Sequence, residues 1–589
     1  MKLSRSMILS SLVTVALPVT AQAQTTSNAP LEEVVVSGVR ESLRKALEVK
    51  REANSIVDAI SSEDIGVFPD ENVAESLQRV SGVALTRERG EGSRISIRGL
   101  GPEQNLTLVD GQRIASQQLF EGEQPSRSFN FALLASEVIS GAEVYKSPEA
   151  RIDEGGVGGT VNLKLLRPLE LRRTLATASV EGGYSDLADE YDPRYSLTFG
   201  TKWGDDKWGA IISLARTERT IRNDGTGPLS YSQRPIDLNS DGVLDYGTVP
   251  VGTPVAAMGP GIMAGQPING RLANVNGRAV VQGIISPDGV FQPDLLANTF
   301  FVSERTRTGG SGSLQFRPSD ELQFTLNGLY SELEENGVNN NFILIPQRAF
   351  QAAVTPVNNA RITASNTLVA GTIPLRIQAD GSPVINTALD SFDRDAKIDT
   401  AYIDLATEWT PADSAWKLSS HIGYTEANTD STNRFIETVT FGNQTFDLEV
   451  GKNGLQDVDN NLLDPNGQFV GFGSFIDLQQ TQEEKHAQID AEREFDNLGP
   501  ITSLQFGVKY RDLDQNRRRN NSSLRLNGDG RSVFSFGISD FGPRPVPGDF
   551  LSGGFQDAIK QFLVTTPAAV DKIFGAGFGP GSVFSPAPC

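Results

Sequence analysis

YSLTFGTKW (195–203), GDDK (204–207) and WGAIISL (208–214) follow one another directly, and their reading decides the fold. In the first stretch Tyr195, Leu197, Phe199 and Trp203 share one face of an extended chain; in the third, Trp208, Ala210, Ile212 and Leu214 do. A period of two is the period of a β-strand, and four polar residues between two such runs make a tight hairpin. The pattern recurs three times. LQF (314–316) and LQFTLNGLY (322–330) flank a turn from Pro318 to Glu321, and AYIDLATEW (401–409) and WKLSSHIGY (416–424) flank one from Pro411 to Ser414. AQIDAEREF (487–495) and SLQFGVKY (503–510) flank a turn around Asn497 to Pro500.

All four tryptophans, Trp203, Trp208, Trp409 and Trp416, border two of these turns. An indole buries its ring and keeps its N–H wet, so this placement suits a membrane interface. The opposite strand ends open into long loops, the other half of the outer-membrane barrel pattern. Lys202, Arg216, Asp404, Glu408, Lys417 and His421 are assigned to the other face, where a wet lumen tolerates charge that lipid would not. A soluble β-sandwich also alternates, but its strands are commonly five or six residues long, whereas several here extend to about ten.

Composition narrows the alternatives. Lys2 and Arg5 precede an apolar run from Met7 to Leu17, and Ala21-Gln22-Ala23 ends it as a signal-peptide cleavage site would, so the chain leaves the cytoplasm. Beyond that leader no run of about 18 apolar residues occurs, which excludes a transmembrane helix but not a barrel. A net charge of −21 disfavours nucleic acid as a partner. One cysteine, Cys589, and two histidines, His421 and His486, offer neither a disulfide framework nor a zinc-ligand spacing. No catalytic constellation emerges, and an enzyme is not expected.

Between about residues 42 and 167 the grammar is mixed α/β. ENVAESLQRV (71–80) sets Val73, Leu77 and Val80 at helical spacing. RISIRG (94–99), NLTLVDGQRI (105–114) and SGAEVYKSP (140–148) read as strands, the second turning at Asp110-Gly111. GGVGGTVNL (155–163) lacks the lysine and following helix of a phosphate cradle, so its glycines, Gly155, Gly156 and Gly159 among them, predict a bend where backbone passes close to backbone.

The order EEVVVSG (32–38), VSGV (80–83), ISIRG (95–99), LVDG (108–111), AEVYKSP (142–148) and GGVGGTVNL, after a signal peptide and before alternating strands, resembles TonB-dependent outer-membrane receptors of Gram-negative bacteria. Within them it is most similar to the Caulobacter-type branch, whose box runs directly into a helix-prone stretch such as ESLRKALEVKREA (41–53). The resemblance implies a signal peptide (1–23), a segment with the TonB box (24–40), a plug domain (41–168) and an antiparallel transmembrane β-barrel (169–589). It implies import of a ligand, an oligosaccharide in this branch or a ferric siderophore in related receptors, with energy relayed by the periplasmic domain of TonB. Glu33, Val34, Val35, Val36 and Ser37 would form the box, an extended segment added as a strand to TonB. Arg98, Gly99, Asp110, Gly111, Lys146, Gly155, Gly156 and Gly159 would carry the plug motifs, with Arg98 and Lys146 reaching the barrel wall. Barrels of this family have 22 strands, and about nine are legible, so the expectation is an incomplete barrel belonging to a longer receptor. A secreted β-sandwich binding protein or adhesin is the competing class.

One loop has a second reading. DLNSDGVLD (237–245) spaces Asp237, Asn239, Asp241, the Val243 carbonyl and Asp245 as a calcium loop does, without the acidic twelfth ligand, since Thr248 stands there. A polar turn capped by its own Asx side chains has the same composition. No other cofactor is expected.

Overall fold

The computed structural model describes residues 53–61, 72–88, 90–118, 127–234, 290–345, 384–442, 468–498 and 501–524, helical residues 44 and 46–51, and short strands in the stretches between and after these. The box at Glu33–Ser37 and the candidate calcium loop, but for the Asp237 backbone, lie outside these residues.

The N-terminal region builds a small mixed sheet from β1 (Val57–Ser61), β4 (Asn105–Val109), β5 (Gln112–Arg113), β6 (Gly141–Tyr145) and β7 (Gly159–Lys164). Its order is β1-β6-β7-β4-β5, with β4 and β7 parallel. A separate hairpin pairs β2 (Val83–Glu88) with β3 (Glu91–Ile97). Helix α1 (Val73–Leu77) starts where Asn72 caps it, its side chain accepting from Ala74 N at 2.9 Å. The expected apolar stripe is the buried one, Val73, Leu77 and Val80 all facing the core. The β4–β5 turn falls at Asp110 and Gly111, whose φ values of 47° and 84° are the paired left-handed residues of a tight hairpin.

The glycine run bends as its composition predicts. A Cβ at Gly159 would stand 2.9 Å from both Ile97 Cδ1 and the Tyr145 carbonyl, and Cβ atoms at Gly156 and Gly158 would collide with Thr160 and Asn105. Gly159→Ala is therefore expected to destabilise the N-terminal region by about 1–3 kcal/mol, the usual cost of overpacking, read from its urea midpoint after refolding into detergent; an unchanged midpoint would contradict the close approach.

The wall is a 10-stranded antiparallel meander in which each strand pairs with its sequence neighbour. Its long members are β8 (Leu175–Ser185), β9 (Glu190–Trp203), β10 (Trp208–Arg234), β11 (Val290–Ser319), β12 (Leu322–Leu344), β13 (Val384–Trp409), β14 (Trp416–Gly442), β15 (Gln468–Leu498) and β16 (Ile501–Leu524). The three-residue β17 (Phe584–Pro586) completes it. Three of the four expected turns are described, and the first is held by left-handed Gly204, Asp205 and Asp206. The sheet is open among the described residues: β8 and β17 are its edges and do not pair.

These strands overrun a bilayer. About ten tilted residues cross the hydrocarbon, yet β11 has 30 and β15 has 31. Stretches expected as long loops are in part continuing ladder, because backbone pairing does not stop where the apolar face does. Tyr195, Leu197, Phe199, Ile212, Leu214, Ile403, Leu405, Ile422, Ile489, Phe506 and Val508 stand exposed on the outer face, and the four tryptophans are 36–45% exposed at its turn-side margin. Across β9–β12 the rings of Trp203, Trp208, Phe316 and Phe324 stack at centroid spacings of 6.3, 4.0 and 6.4 Å, a continuous aromatic girdle.

The inward assignments hold for Lys202, Asp404, Glu408, Lys417 and His421, but not for Arg216. It lies an even number of residues beyond Ile212 and Leu214, hence on their outer face, half exposed and paired with Glu218 at 2.9 Å. There the apolar belt has ended, so a charge pair meets water or headgroups rather than hydrocarbon.

Candidate functional site, the seam between plug and wall

The N-terminal region sits against the inner face of the sheet, its core continuing into Ala215, Leu329 and Tyr402 of the wall. The described residues 115–118 and 127–138 carry no strand and only two 3-10 turns, so their buried backbone groups need partners outside regular structure. Wall hydroxyls supply them. Ser213 Oγ donates to the Glu137 carbonyl at 2.8 Å, Ser311 Oγ to Val138 at 2.6 Å, Ser331 Oγ to Leu133, and Thr400 Oγ1 to Ala115 at 2.8 Å. Thr425 Oγ1 accepts from Ala115 N at 3.0 Å, and Tyr402 donates to Val109 at 3.2 Å.

A buried ion cluster closes one side of the seam. Glu91, at the start of β3, is 1% exposed and meets two guanidiniums from β11. Arg305 Nη1 donates to it at 2.8 Å, Arg307 Nη2 donates to its other oxygen, and Asn72 Nδ2 adds a bond at 3.0 Å. Arg305 also donates to Glu335 of β12 at 2.7 Å, and Arg307 to the Ala132 carbonyl at 2.5 Å. Burial opposes the charge on Glu91, but Arg307 and Arg305 hold its carboxyl below the usual range, so it stays ionised. A cavity of about 240 Å³ beside the cluster is bordered by Arg194, Arg219, Glu181 and Asp192.

A second ion group lies across the seam at β16, where Lys509 Nζ stands 3.0 Å from Asp153 of the N-terminal region and Arg511 3.7 Å from it. Arg113 approaches the same carboxylate at 3.3 Å.

The sequence motifs converge within the plug rather than on the wall. Arg98 holds a left-handed φ of 53°, its N–H bonded to the Gly82 carbonyl at 2.8 Å and its guanidinium to the Gly158 carbonyl at 2.9 Å. ISIRG, VSGV and GGVGG are thus joined at one side chain, with Gly99 following at φ 78°. Lys146 pairs with Asp58 of β1 and reaches Ser81 Oγ at 3.1 Å, while its N–H holds the Ile56 carbonyl at 2.8 Å. The expectation that Arg98 and Lys146 contact the wall is therefore corrected: their partners are on neighbouring plug segments, within easier reach than the sheet. Gly111 N donates to Asn162 Oδ1 at 2.8 Å, tying LVDG to TVNL, and LVDG is the motif that receives the wall bonds described, Asp110 Oδ2 from Asn327 at 3.0 Å and the Val109 carbonyl from Tyr402 at 3.2 Å.

β1 follows directly from the helical residues 46–51, and Lys50 pairs with Asp58 there. Burial opposes ionisation of Asp58, yet Lys146 and Lys50 hold it below the usual aspartate range. The pair therefore stabilises β1 above that range and ceases to as pH falls through the lowered value. Lys146→Met is expected to free β1 first, seen as faster exchange of the Val57–Ser61 amides with the remaining sheet unchanged; equal exchange in both proteins would contradict the clip.

Glu91, Arg305, Arg307 and the wall hydroxyls were not singled out in the sequence. A signal was present: RTRTGGSGS (305–313) places Arg305, Arg307, Ser311 and Ser313 on one face of a strand, a polar inner stripe.

Residues 49–160 match the TonB-dependent Receptor Plug Domain family. Over 118 residues the chain is 34% identical to the ferric enterobactin receptor of Pseudomonas aeruginosa, covering 18% of this chain and 16% of that protein. Over 153 residues it is 32% identical to the ferric enterobactin receptor PirA of the same organism, covering 24% and 19%. The matches thus span less than a fifth of those relatives. Among solved structures, a mutant of the ferric enterobactin receptor PfeA from Pseudomonas aeruginosa aligns over 81% of this chain and 72% of its own at 11% identity, with a TM-score of 0.32. Residues 49–160 are a TonB-dependent receptor plug domain, set against a lipid-facing antiparallel sheet. Such a chain resides in the outer membrane of a Gram-negative bacterium.

Proposed function

We propose that this protein is an active-transport receptor that binds an extracellular ligand and imports it with energy relayed by the periplasmic domain of TonB. The observation carrying this reading is the seam: a plug held to the inner face of the wall by buried charges and hydroxyl bonds would fill the lumen of a closed barrel, so passage would need work from outside the outer membrane. The segment bearing Glu33 to Ser37 leads through helical residues 46–51 into β1, which is an edge strand of the plug sheet and the first element a pull on the box would reach.

A ligand face lies above the plug. Phe392 shares the inner face of β13 with Ile398, which packs on plug residue Leu133. Phe392 and Phe435 stack at 4.3 Å, and Phe472 adjoins at 5.5 Å, offering flat apolar surface to a ring. Sugar rings of an oligosaccharide, a ligand class frequent among the Caulobacter-type receptors that the sequence resembles, stack on such faces through their C–H groups. A second reading, a ferric siderophore, is favoured by Arg517 and Arg519, which oppose inward-facing Gln480 and Leu478 in the ladder and suit an anionic chelate. The names of the matched relatives agree with that second reading.

The test is uptake into cells expressing the protein, with labelled maltoheptaose and ferric enterobactin as probes, with and without a protonophore. Energised uptake of either probe that the protonophore abolishes while surface binding persists is the expected result. Uptake insensitive to the protonophore would overturn the proposal.

A further inference from the structure

The chain's two histidines, distant in sequence, meet on one carboxylate. His421 Nδ1 lies 2.9 Å from Asp404 Oδ1 and His486 Nε2 lies 3.0 Å from Asp404 Oδ2, with Asp404 and His486 buried at 1% and 3% exposure. The ladder explains how. Asn327 of β12, Asp404 of β13, Gly423 of β14, His486 of β15 and Arg511 of β16 stand in one row across five strands. Only because position 423 has no side chain can the His486 ring cross β14 to reach Asp404; a Cβ there would sit 2.6 Å from the ring.

The row backs onto the plug hairpin. Asn327 donates to Asp110 Oδ2 at 3.0 Å, Tyr402, on the face of Asp404, donates to the Val109 carbonyl, and Gln488, on the face of His486, accepts from Gln112 at 3.0 Å. Two buried carboxylates, Asp404 and Asp110, are therefore brought near one another across the seam, through Asn327, which opposes the first in the ladder and donates to the second. Other charged groups nearby are Lys164 and Arg167, which act on Asp110, Arg511, which is engaged by Glu484 at 2.6 Å and lies near Asp153, and Asp490, which accepts from Gln488 at 2.7 Å.

We propose that the His421–Asp404–His486 clamp is a proton-operated seat for the plug hairpin Leu108–Arg113. With both imidazoles neutral, each donates one N–H to Asp404, and the carboxylate keeps its charge opposite Asp110. His486 Nδ1 is then a buried nitrogen with no hydrogen-bond partner among the described residues, and it is the atom that would take an added proton. Histidine is the side chain whose charge ordinarily changes between about pH 5 and 8. An added proton makes an imidazolium that neutralises Asp404, removes its repulsion of Asp110 and tightens the hairpin; loss of that proton loosens it. Burial pushes Asp110 up from the usual aspartate range, with Asp404 adding to it against Arg167 and Lys164, as two opposed carboxylates require.

The experiment is hydrogen–deuterium exchange of peptides covering residues 105–115 in the full chain in detergent, between pH 6 and pH 8 and corrected for the intrinsic rate. Wild type is expected to open about tenfold more often at pH 8, the equivalent of about one pKa unit of coupling. His421→Gln/His486→Gln is expected to open at the fast level at both pH values, and the near-isosteric Asp404→Asn at the slow level at both. A flat wild-type profile would overturn the proposal, as would the wild-type tenfold change persisting in either variant. Asp404→Asn keeps the test decisive should the double variant fail to fold.

Discussion

Glu91→Ala is expected to destabilise the docking of the plug by about 3–5 kcal/mol, the cost of removing one partner from a buried ion cluster. The substitution takes a carboxylate from both Arg307 and Arg305, while Glu335 still holds the other side of Arg305. Asn72 loses a bond at the helix cap as well. A salt bridge this buried is not worth its full Coulomb energy, because desolvation consumes most of it, and replacing Glu91, Arg305 and Arg307 together by apolar residues of similar size is expected to cost far less than the single change. The contrast between single and triple variants isolates the charge effect from packing. It can be read from exchange of the Glu91–Ile97 amides in detergent; a single-variant effect below about 1 kcal/mol would show that the cluster does not hold the plug. The pH sign follows from the lowered carboxyl of Glu91. Its stabilisation is fully present above the usual glutamate range and is lost as pH falls through the lowered value, so the plug should loosen only in strong acid.

Val35→Pro is expected to reduce energised uptake tenfold or more without changing ligand binding at the cell surface. On the proposed mechanism the box adds to TonB as a strand, held by main-chain bonds that are largely indifferent to side chain. Proline removes an N–H from the centre of VVV, and its ring limits pairing on that edge, whereas Val35→Thr keeps both the donor and the β-branched shape. The loss of about 1.4 kcal/mol suffices for a tenfold weaker complex. Uptake of the same labelled probes measures it: Val35→Thr should transport as wild type does, and undiminished uptake in Val35→Pro would remove the box from the mechanism.

The hairpins were legible in the sequence because alternation and turn chemistry are local. YSLTFGTKW and WGAIISL announce the outer face by themselves, and Asp110-Gly111 announces its turn. The same locality hid the seam. Glu91 and its guanidiniums are separated by more than 200 residues, and nothing in GEGSR (90–94) says which wall residue will oppose it. Arg216 shows how finely the faces are set, since parity alone, counted from Leu214, puts it outside. The joining of Asp404 to both histidines depends on Gly423 in a third strand, a register property that no single segment contains. Arg98 and Lys146 were recognisable as motif residues, but their partners, a carbonyl and an aspartate of the plug itself, follow from the bend at Gly158 and the pairing of β1 with β6.

The central claim is that this chain is a plug and wall worked from the periplasmic side through the segment Glu33–Ser37, and site-directed cross-linking tests it most directly. Cys589 is the only cysteine, so Cys589→Ser provides a background into which single cysteines can be placed at positions 33 to 37, with a control at Ser185 on the β8–β9 turn. Incubated in outer-membrane vesicles with a TonB periplasmic domain bearing one cysteine in its partner strand, the box positions should form disulfides in an alternating pattern, strong at every second residue, while position 185 forms none. Cross-linking at positions 33 to 37 no stronger than at 185 would contradict the account.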